Sequence, residues 1–435
     1  MERVVLVGMA LKGKDAGMEE SVEELKRLTE TAGGVVADVL TQRVERLNPR
    51  LLIGEGKAHE VAAAARGVRA HTVIFDEDLT PAQQKALEAI IGAKVLDRTR
   101  LILDIFARRA RTKEGELQVE LAQLSYMLPR LTGAWRGFSQ QVGGIGTRGP
   151  GERKLEYERR HISRRIEHLK RAIERMRRER VVQRQRRRSV PVPHVALIGY
   201  TNVGKSSLLN ALMGSTGARR LRDAQPALPR PVGAPASVKG MVYADDKLFA
   251  TLDPTTRRVR LPEGGWAVWT DTVGFIQKLP TALVAAFRST LEEVREADCL
   301  VHVHDAAARD PKRQSAAVQE VLSDLGAGEV PRVEAFNKAD LLNAPERERL
   351  RAAHPEGVLI SAKTGLGIGD LLGRVENALK GRWVLRELDL DPARAARISD
   401  IYACAQVLGQ STHHGRVRVR LRVTPENWSR LLHRL

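Results

Sequence analysis

The chain has 435 residues, with 72 Lys+Arg against 53 Asp+Glu and a formal net charge of +19. That length suits about three domains with substantial cores, and the charge points to an acidic polymer as partner. Aromatic residues at 4 % argue against base stacking on an aromatic platform, two distant cysteines (Cys299 and Cys404) rule out a disulfide scaffold, and no apolar run nears the ~18 residues of a membrane span, so a reducing, cytoplasmic setting is expected.

Residues 1 to about 113 alternate strand and helix signals. Val4–Val7, Val35–Leu40, Val73–Phe75 and Lys94–Leu96 read as strands, and Glu19–Thr31, Lys57–Ala65 and Pro81–Ile91 as helices. The alternation predicts a small parallel α/β domain over residues 1–113. Val4–Val7 is read as its first strand rather than as a signal core, because charge and an acidic helical segment follow.

Over residues 114–192 the pattern changes. Leu117, Leu121, Leu124 and Leu128 are spaced four, three and four apart, and Leu155, Ile162, Ile166, Leu169, Ile173 and Met176 continue the pattern. Each stretch carries a narrow apolar seam that cannot be buried alone, which predicts a long antiparallel helical hairpin. Pro129 and the Gly-rich segment from Gly133 to Gly151 then form its tip loop. There Arg136 and Arg148 among glycines suit close approach to phosphates, an ordinary connector being the alternative. Residues 151–190 hold 16 Lys/Arg and 6 Asp/Glu, a surplus of ten. A mixed-sign face is the usual solvated helix surface; this surplus favours RNA contact instead. The candidates are Arg153, Lys154, Arg177, Arg178, Arg186, Arg187 and Arg188. Pro191-Val-Pro193 then reads as a stiff linker.

Residues 193–381 read as a nucleotide domain. The apolar Val195–Ile198 is followed by Gly199-Tyr200-Thr201-Asn202-Val203-Gly204-Lys205-Ser206, which fits G-x-x-x-x-G-K-S, and by the helical Ser207–Leu212. The glycines let backbone N–H groups turn around phosphate oxygens, the helix N-terminus adds partial positive charge, Lys205 neutralises the terminal phosphates, and Ser206 is placed to hold Mg²⁺. Asp271-Thr272-Val273-Gly274 follows the strand Trp266–Trp269; Asp271 suits Mg²⁺ through a water and the Gly274 N–H the terminal phosphate. In Asn337-Lys338-Ala339-Asp340, Asp340 is a double acceptor matched to the N–H groups of guanine. Asn337 braces base and loop, and the Lys338 stem lies over the purine. In Ser361-Ala362-Lys363 the Ala362 N–H is placed to donate to the guanine carbonyl. Thr251, within Phe249-Ala250-Thr251-Leu252-Asp253, is the chosen switch threonine, with Thr255 and Thr256 as competitors. Phe275 stands where related switches carry a water-orienting Gln, so slow intrinsic hydrolysis is expected, with Asn202 as a helper that coordinates K⁺. The catalytic candidates are Lys205, Thr251, Gly274 and Asn202.

Residues 214–240 read as a mobile insertion. Residues 382–435 read as a small α+β domain, in which Arg416–Val423 alternates four Arg with four aliphatics. That alternation predicts a strand with one buried face and one all-Arg face.

With Leu96–Ala110, Gln118–Leu124, Leu128-Pro-Arg-Leu-Thr132 and Gly143–Glu152, these motifs resemble the HflX family of ribosome-associated GTPases over nearly the whole chain. The resemblance implies a P-loop GTPase domain beside an N-terminal α/β domain, the hairpin and a C-terminal α+β domain. It implies a cytoplasmic enzyme that takes GTP and GDP, holds Mg²⁺ through Ser206 and Thr251, binds the large ribosomal subunit and its rRNA, and dissociates stalled or idle ribosomes; a monomer is expected. An RNA-binding assembly or remodelling factor, in which nucleotide only sets affinity, is the alternative. Arg153-Lys154 departs from the Thr-Gln common in the family, and the 214–240 segment is longer than usual.

Overall fold

A computed structural model describes residues 2–13, 17–133, 150–188, 192–215, 248–249, 254–278, 293–380, 383–390, 401–402, 405–413 and 416–434. The chain forms two compact units. One comprises residues 1–176 with 245–252 and 277–287, the other residues 177–244, 253–276 and 288–435.

The first unit is built on a parallel sheet of β1 (Glu2–Leu11), β2 (Gly34–Val44), β3 (Thr72–Phe75) and β4 (Lys94–Asp97), in the order β2-β1-β3-β4. Residues 4–10 of β1 are buried without interruption, as expected of a strand covered on both faces. Helices α2 (Glu55–Gly67) and α3 (Pro81–Ile91) close over Val5, Val7, Val73, Phe75 and Val95, while α1 (Met18–Thr31) and α4 (Arg98–Arg109) lie on the opposite face. Gly8 permits that approach, since a Cβ there would stand 2.3 Å from Val22 Cγ2. The limits predicted for α3 are met because Thr80 and Gln83 form a capping box, Pro81 opens the helix, and Gly92 closes it at φ 73°.

Helix α5 (Lys113–Met127) starts at Thr112, whose hydroxyl accepts from the Gly115 N–H at 3.1 Å. Its buried face is Gly115, Gln118, Val119 and Ala122; Leu117, Leu121, Leu124 and Leu128 are only half-buried. The leucine seam is thus not the face that α5 presents to the core. Helix α6 (Pro150–Arg188) buries Ile166 and Leu169, and its Arg165 makes a two-pronged ion pair with Glu120 of α5 at 2.7 and 2.9 Å. Between α5 and the predicted tip, residues 128–133 form a short 3-10 helix. Its Arg130 lies 3.5 Å from the centroid of the Tyr126 ring and donates to Asp97 Oδ2 at 3.1 Å and to the Leu79 carbonyl at 2.6 Å. The rest of the expected tip loop, with Arg136 and Arg148, lies outside the described residues, as does nearly all of the 214–240 insertion.

In the second unit, β5 (His194–Gly199), β6 (Thr255–Arg260), β7 (Trp266–Asp271), β8 (Cys299–Asp305), β9 (Arg332–Asn337) and β10 (Val358–Leu359) form a six-stranded sheet ordered β10-β9-β8-β5-β7-β6. Only the edge strand β6 runs antiparallel to its neighbour. Helices α7 (Lys205–Ser215), α8 (Pro311–Asp324), α9 (Ala344–Ala353) and α10 (Ile368–Leu379) complete this α/β layer. Cys299 is a buried free thiol within β8.

A three-stranded antiparallel sheet, β11 (Val384–Leu390), β13 (Arg416–Val423) and β12 (Gln406–His413) in that spatial order, follows with α11 (Pro425–Arg434). Val419, Leu421 and Val423 point into its core. The opposite face of β13 is not uniformly a solvated arginine face. Arg416, Arg418 and Arg420 are exposed, but Arg422 is 4 % exposed and pairs with Glu376 of α10. The last arginine fastens this sheet to the nucleotide layer, helped by Gln406 Nε2, which donates to the Trp266 carbonyl at 2.9 Å.

Candidate functional site

The phosphate loop leaves β5 at Gly199 and enters α7 at Lys205. Gly199 and Gly204 have φ of 146° and 91°. A Cβ at Gly199 would fall 2.3 Å from the Val303 carbonyl oxygen, and one at Gly204 would fall 2.3 Å from Asn337 Nδ2. Both positions therefore need glycine for conformation and for space. Asn202 is exposed at the turn with φ 60°, a conformation asparagine tolerates.

The segment Asp271–Phe275 is stitched to this loop. The Thr201 N–H donates to the Phe275 carbonyl at 2.8 Å, the Phe275 N–H to the Gly199 carbonyl at 3.1 Å, and Thr272 Oγ1 to the Leu197 carbonyl at 2.6 Å. A Cβ at Gly274 would meet Thr201 Cα at 2.8 Å and Lys205 Nζ at 3.0 Å, so the Gly274 backbone lies against the lysine. Phe275 is 2 % exposed, and its ring is a core group. It has neither the hydrogen-bonding atoms nor the exposure to orient a water.

Lys205 is 6 % exposed, and its ammonium donates to the Gly199 carbonyl at 2.9 Å and the Tyr200 carbonyl at 2.7 Å. Burial pushes its pKa down to about 8, against the pull of the Asp271 carboxylate. An anion entering the loop supplies the counter-charge that two carbonyl dipoles only partly provide. Ser206 Oγ donates to Asp271 Oδ2 at 2.6 Å. A hydroxyl and a carboxylate side by side at the lip of a phosphate loop are a hard oxygen donor set, which fits Mg²⁺ and disfavours softer metals.

Asn337 couples the loops. It is 2 % exposed, its Nδ2 donates to the Val203 carbonyl at 2.7 Å, and its Oδ1 accepts from the Ala362 N–H at 2.9 Å. The N–H expected to serve a guanine carbonyl is therefore used by Asn337 here. Ser361 Oγ donates to Asp340 Oδ1 at 2.6 Å. A carboxylate has about four lone-pair sites, so this bond orients Asp340 without exhausting it. Lys338, at φ 63°, reaches Asp305 Oδ2 at 2.6 Å. Asp305 is the site residue that sequence reasoning missed. It closes β8 opposite Asn337, and only the strand register shows this.

Thr251, with Ala250, Leu252 and Asp253, lies outside the described residues. Phe249 is buried in the first unit, where its ring packs edge-on against Phe106 at a 4.5 Å centroid distance, and the adjacent Leu248 N–H donates to Thr31 Oγ1 at 3.3 Å. That packing occupies the Phe249 side chain, which was expected at the nucleotide. Arg177 and Arg178 are exposed on α6; Arg153, Lys154, Arg186, Arg187 and Arg188 lie on the same helix with side chains outside the described set. No helix among the described residues is long and apolar enough to cross a membrane.

Three family models cover most of the chain. "GTP-binding GTPase N-terminal" matches residues 19–107, "GTP-binding GTPase Middle Region" residues 109–187, and "50S ribosome-binding GTPase" residues 194–226 and 236–338. The chain is 47 % identical over 378 residues to the GTPase HflX of Caldanaerobacter subterraneus subsp. tengcongensis, covering 87 % of this chain and 81 % of that one. It is 40 % identical over 433 residues to the GTPase HflX of Escherichia coli, covering 99 % and 95 %. Identity of that depth across every region, together with a phosphate loop built as described, shows that the chain belongs to the HflX family of GTPases and hydrolyses GTP.

Proposed function

We propose that this GTPase is a monomeric cytoplasmic factor that binds the large ribosomal subunit and uses GTP binding and hydrolysis to dissociate stalled or idle ribosomes. The observation that carries this reading is the union of a GTPase site with a ten-charge surplus over residues 151–190, on and just beyond one long helix. The description "50S ribosome-binding GTPase" of the matching family model supports the choice of polyanion. In this reading residues 1–113 form an N-terminal α/β domain, 114–192 a helical hairpin, 193–381 the GTPase domain and 382–435 a C-terminal α+β domain. Backbone groups of Gly199–Ser206 cradle the phosphates, with Lys205 neutralising them. Ser206 and Thr251 would hold Mg²⁺, and Asp271 would do so through a water. The ion, when bound, offsets charge on the phosphate oxygens. Asp340 reads guanine, and Asn202 holds K⁺.

Buried Phe275 favours dependence on the ribosome, because the side chain after Gly274 cannot position the attacking water. GTP turnover is therefore expected to rise strongly on adding large subunits, and light scattering of intact ribosomes to fall on adding protein and GTP. Unstimulated turnover with unchanged scattering favours the second reading that Phe275 also permits, an assembly or remodelling factor in which nucleotide only sets affinity. Replacing Arg177, Arg178, Arg186, Arg187 and Arg188 is expected to weaken ribosome binding and flatten its salt dependence by roughly 0.7–0.9 in log–log slope per lost phosphate contact. An unchanged slope returns those arginines to solvent. Asp340→Asn is expected to relax the preference for GTP over ATP in competition binding, since the amide replaces one acceptor with a donor; retained selectivity places base reading elsewhere.

A further inference from the structure

On the sheet of the second unit, three metal-binding side chains converge outside the nucleotide site. His302 and His304 sit two apart on β8, so both project from one face of the sheet. In the parallel register of β8 and β9, His302 lies opposite Glu334 and His304 opposite Phe336. The outcome is an imidazole–carboxylate–imidazole cluster. His302 Nδ1 stands 3.1 Å from Glu334 Oε2, and His304 Nε2 contacts that same oxygen. All three ligand atoms lie within 4.8 Å of one another.

The surroundings prepare these atoms as ligands. Residues His302 and His304 are 1 % and 9 % exposed. Arg332 Nε donates to the other carboxylate oxygen of Glu334, Oε1, at 2.9 Å. That is the outer contact that orients a ligating carboxylate. His304 is held from behind by a stack on Phe336 at 4.9 Å, and Phe336 in turn packs on His354 at 4.6 Å.

We infer that His302, His304 and Glu334 form a site for a borderline transition-metal ion of the Zn²⁺ class. Two nitrogens and one carboxylate oxygen are the donor set that such ions take with an open fourth position, whereas Mg²⁺ and Ca²⁺ prefer all-oxygen shells. The site differs in place and chemistry from the oxygen pair Ser206–Asp271. β8 runs on into Asp305, the partner of Lys338, and β9 into Asn337. A metal pinning these strands together thus clamps the base of the nucleotide-recognition loop and binds only the folded protein, which stabilises it by mass action.

The test uses the full-length chain, freed of metal and nucleotide by chelation and titrated with Co²⁺ and then Zn²⁺. The expected result is one equivalent of Co²⁺ giving visible d–d absorption that Zn²⁺ displaces, with a rise in melting temperature. His304→Gln and Glu334→Gln are expected to weaken that binding by about 100-fold, while His354→Gln, on the same patch but outside the cluster, leaves it unchanged. X-ray absorption of the Zn²⁺-loaded wild-type chain is expected to count two imidazoles, and this readout holds even if a variant misfolds. A wild-type chain that takes up no stoichiometric Co²⁺, a Zn²⁺ shell with fewer than two imidazoles, or undiminished binding in folded His304→Gln and Glu334→Gln overturns the proposal.

Discussion

Lys205→Met is expected to abolish GTP binding while making the nucleotide-free protein more stable. The free protein holds this ammonium buried on two carbonyls, with its pKa lowered from 10.5 to about 8. That lowering corresponds to about 3 kcal/mol of cost to the folded state whenever the lysine is charged. Methionine keeps the length and removes the charge. The two hydrogen bonds it forfeits offset about 1 kcal/mol each, so a net gain of about 1 kcal/mol is expected in urea unfolding. Binding moves the other way. Charge-assisted hydrogen bonds to phosphate contribute about 1.5–3 kcal/mol each, so affinity is expected to fall at least about 100-fold. Loss of binding accompanied by loss of stability would show that the lysine serves the fold.

The same lysine sets a pH dependence whose sign is fixed. Its folded pKa lies below its unfolded value, so between pH about 8 and 10.5 the unfolded chain binds more protons, and stability of the free protein rises with pH across that window. Below pH 8 both states are charged and the cost is fully present. Bound phosphate favours the charged form, so the complex takes up a proton above pH 8. Nucleotide affinity is therefore expected to decline by up to about tenfold per pH unit above that point. Titrations with a fluorescent GDP from pH about 7 to 9 test this, and a flat profile sinks it.

Arg98→Ala is expected to unfold much of the first unit. Arg98 is 1 % exposed and lies at the start of α4, 2.8 Å from Asp76 Oδ1 and 2.9 Å from Glu24 Oε1, and it donates to the Gln277 carbonyl at 3.3 Å. Ser21 Oγ donates to Asp76 Oδ2 at 2.6 Å, and Lys278 Nζ reaches the same oxygen at 2.7 Å and Glu77 Oε1 at 2.6 Å. Two cations thus balance a buried cluster of carboxylates. Removing Arg98 takes the buried guanidinium from both Glu24 and Asp76, a loss of about 3–5 kcal/mol. Lys278 is 35 % exposed, so Lys278→Ala is expected to cost only about 1 kcal/mol. Urea unfolding of both single variants and the double variant measures this. A loss for Arg98→Ala no larger than for Lys278→Ala would place the network among ordinary surface pairs.

Much of this was legible in the residues. β1 and β3 of the first sheet carry uninterrupted apolar runs, and burial on both faces is what such runs require. The phosphate loop was legible because its chemistry is local: two glycines, a lysine and a serine at fixed spacing in one turn between a strand and a helix. A four-three-four leucine spacing describes a stripe on α5 without saying which neighbour each side of it touches; there the buried face is Gly115, Gln118, Val119 and Ala122 and the four leucines are half-buried. Arg422 was misread for a similar reason: alternation assigns it to the arginine face but cannot reveal that Glu376 waits there.

The sequence by itself determined the linear devices of this protein: the G-x-x-x-x-G-K-S turn and the capped helix over 81–91. Each rests on contacts within a few residues, where covalent geometry leaves few alternatives. Only the tertiary structure decided which distant groups meet. Asn337 bracing Val203, Arg98 gathering Glu24, Asp76 and Gln277, and the His302–His304–Glu334 cluster all depend on strand register and helix packing. A one-residue slip in a strand turns every side chain to the opposite face, so such meetings are settled by the burial of whole sheets and not by any local pattern.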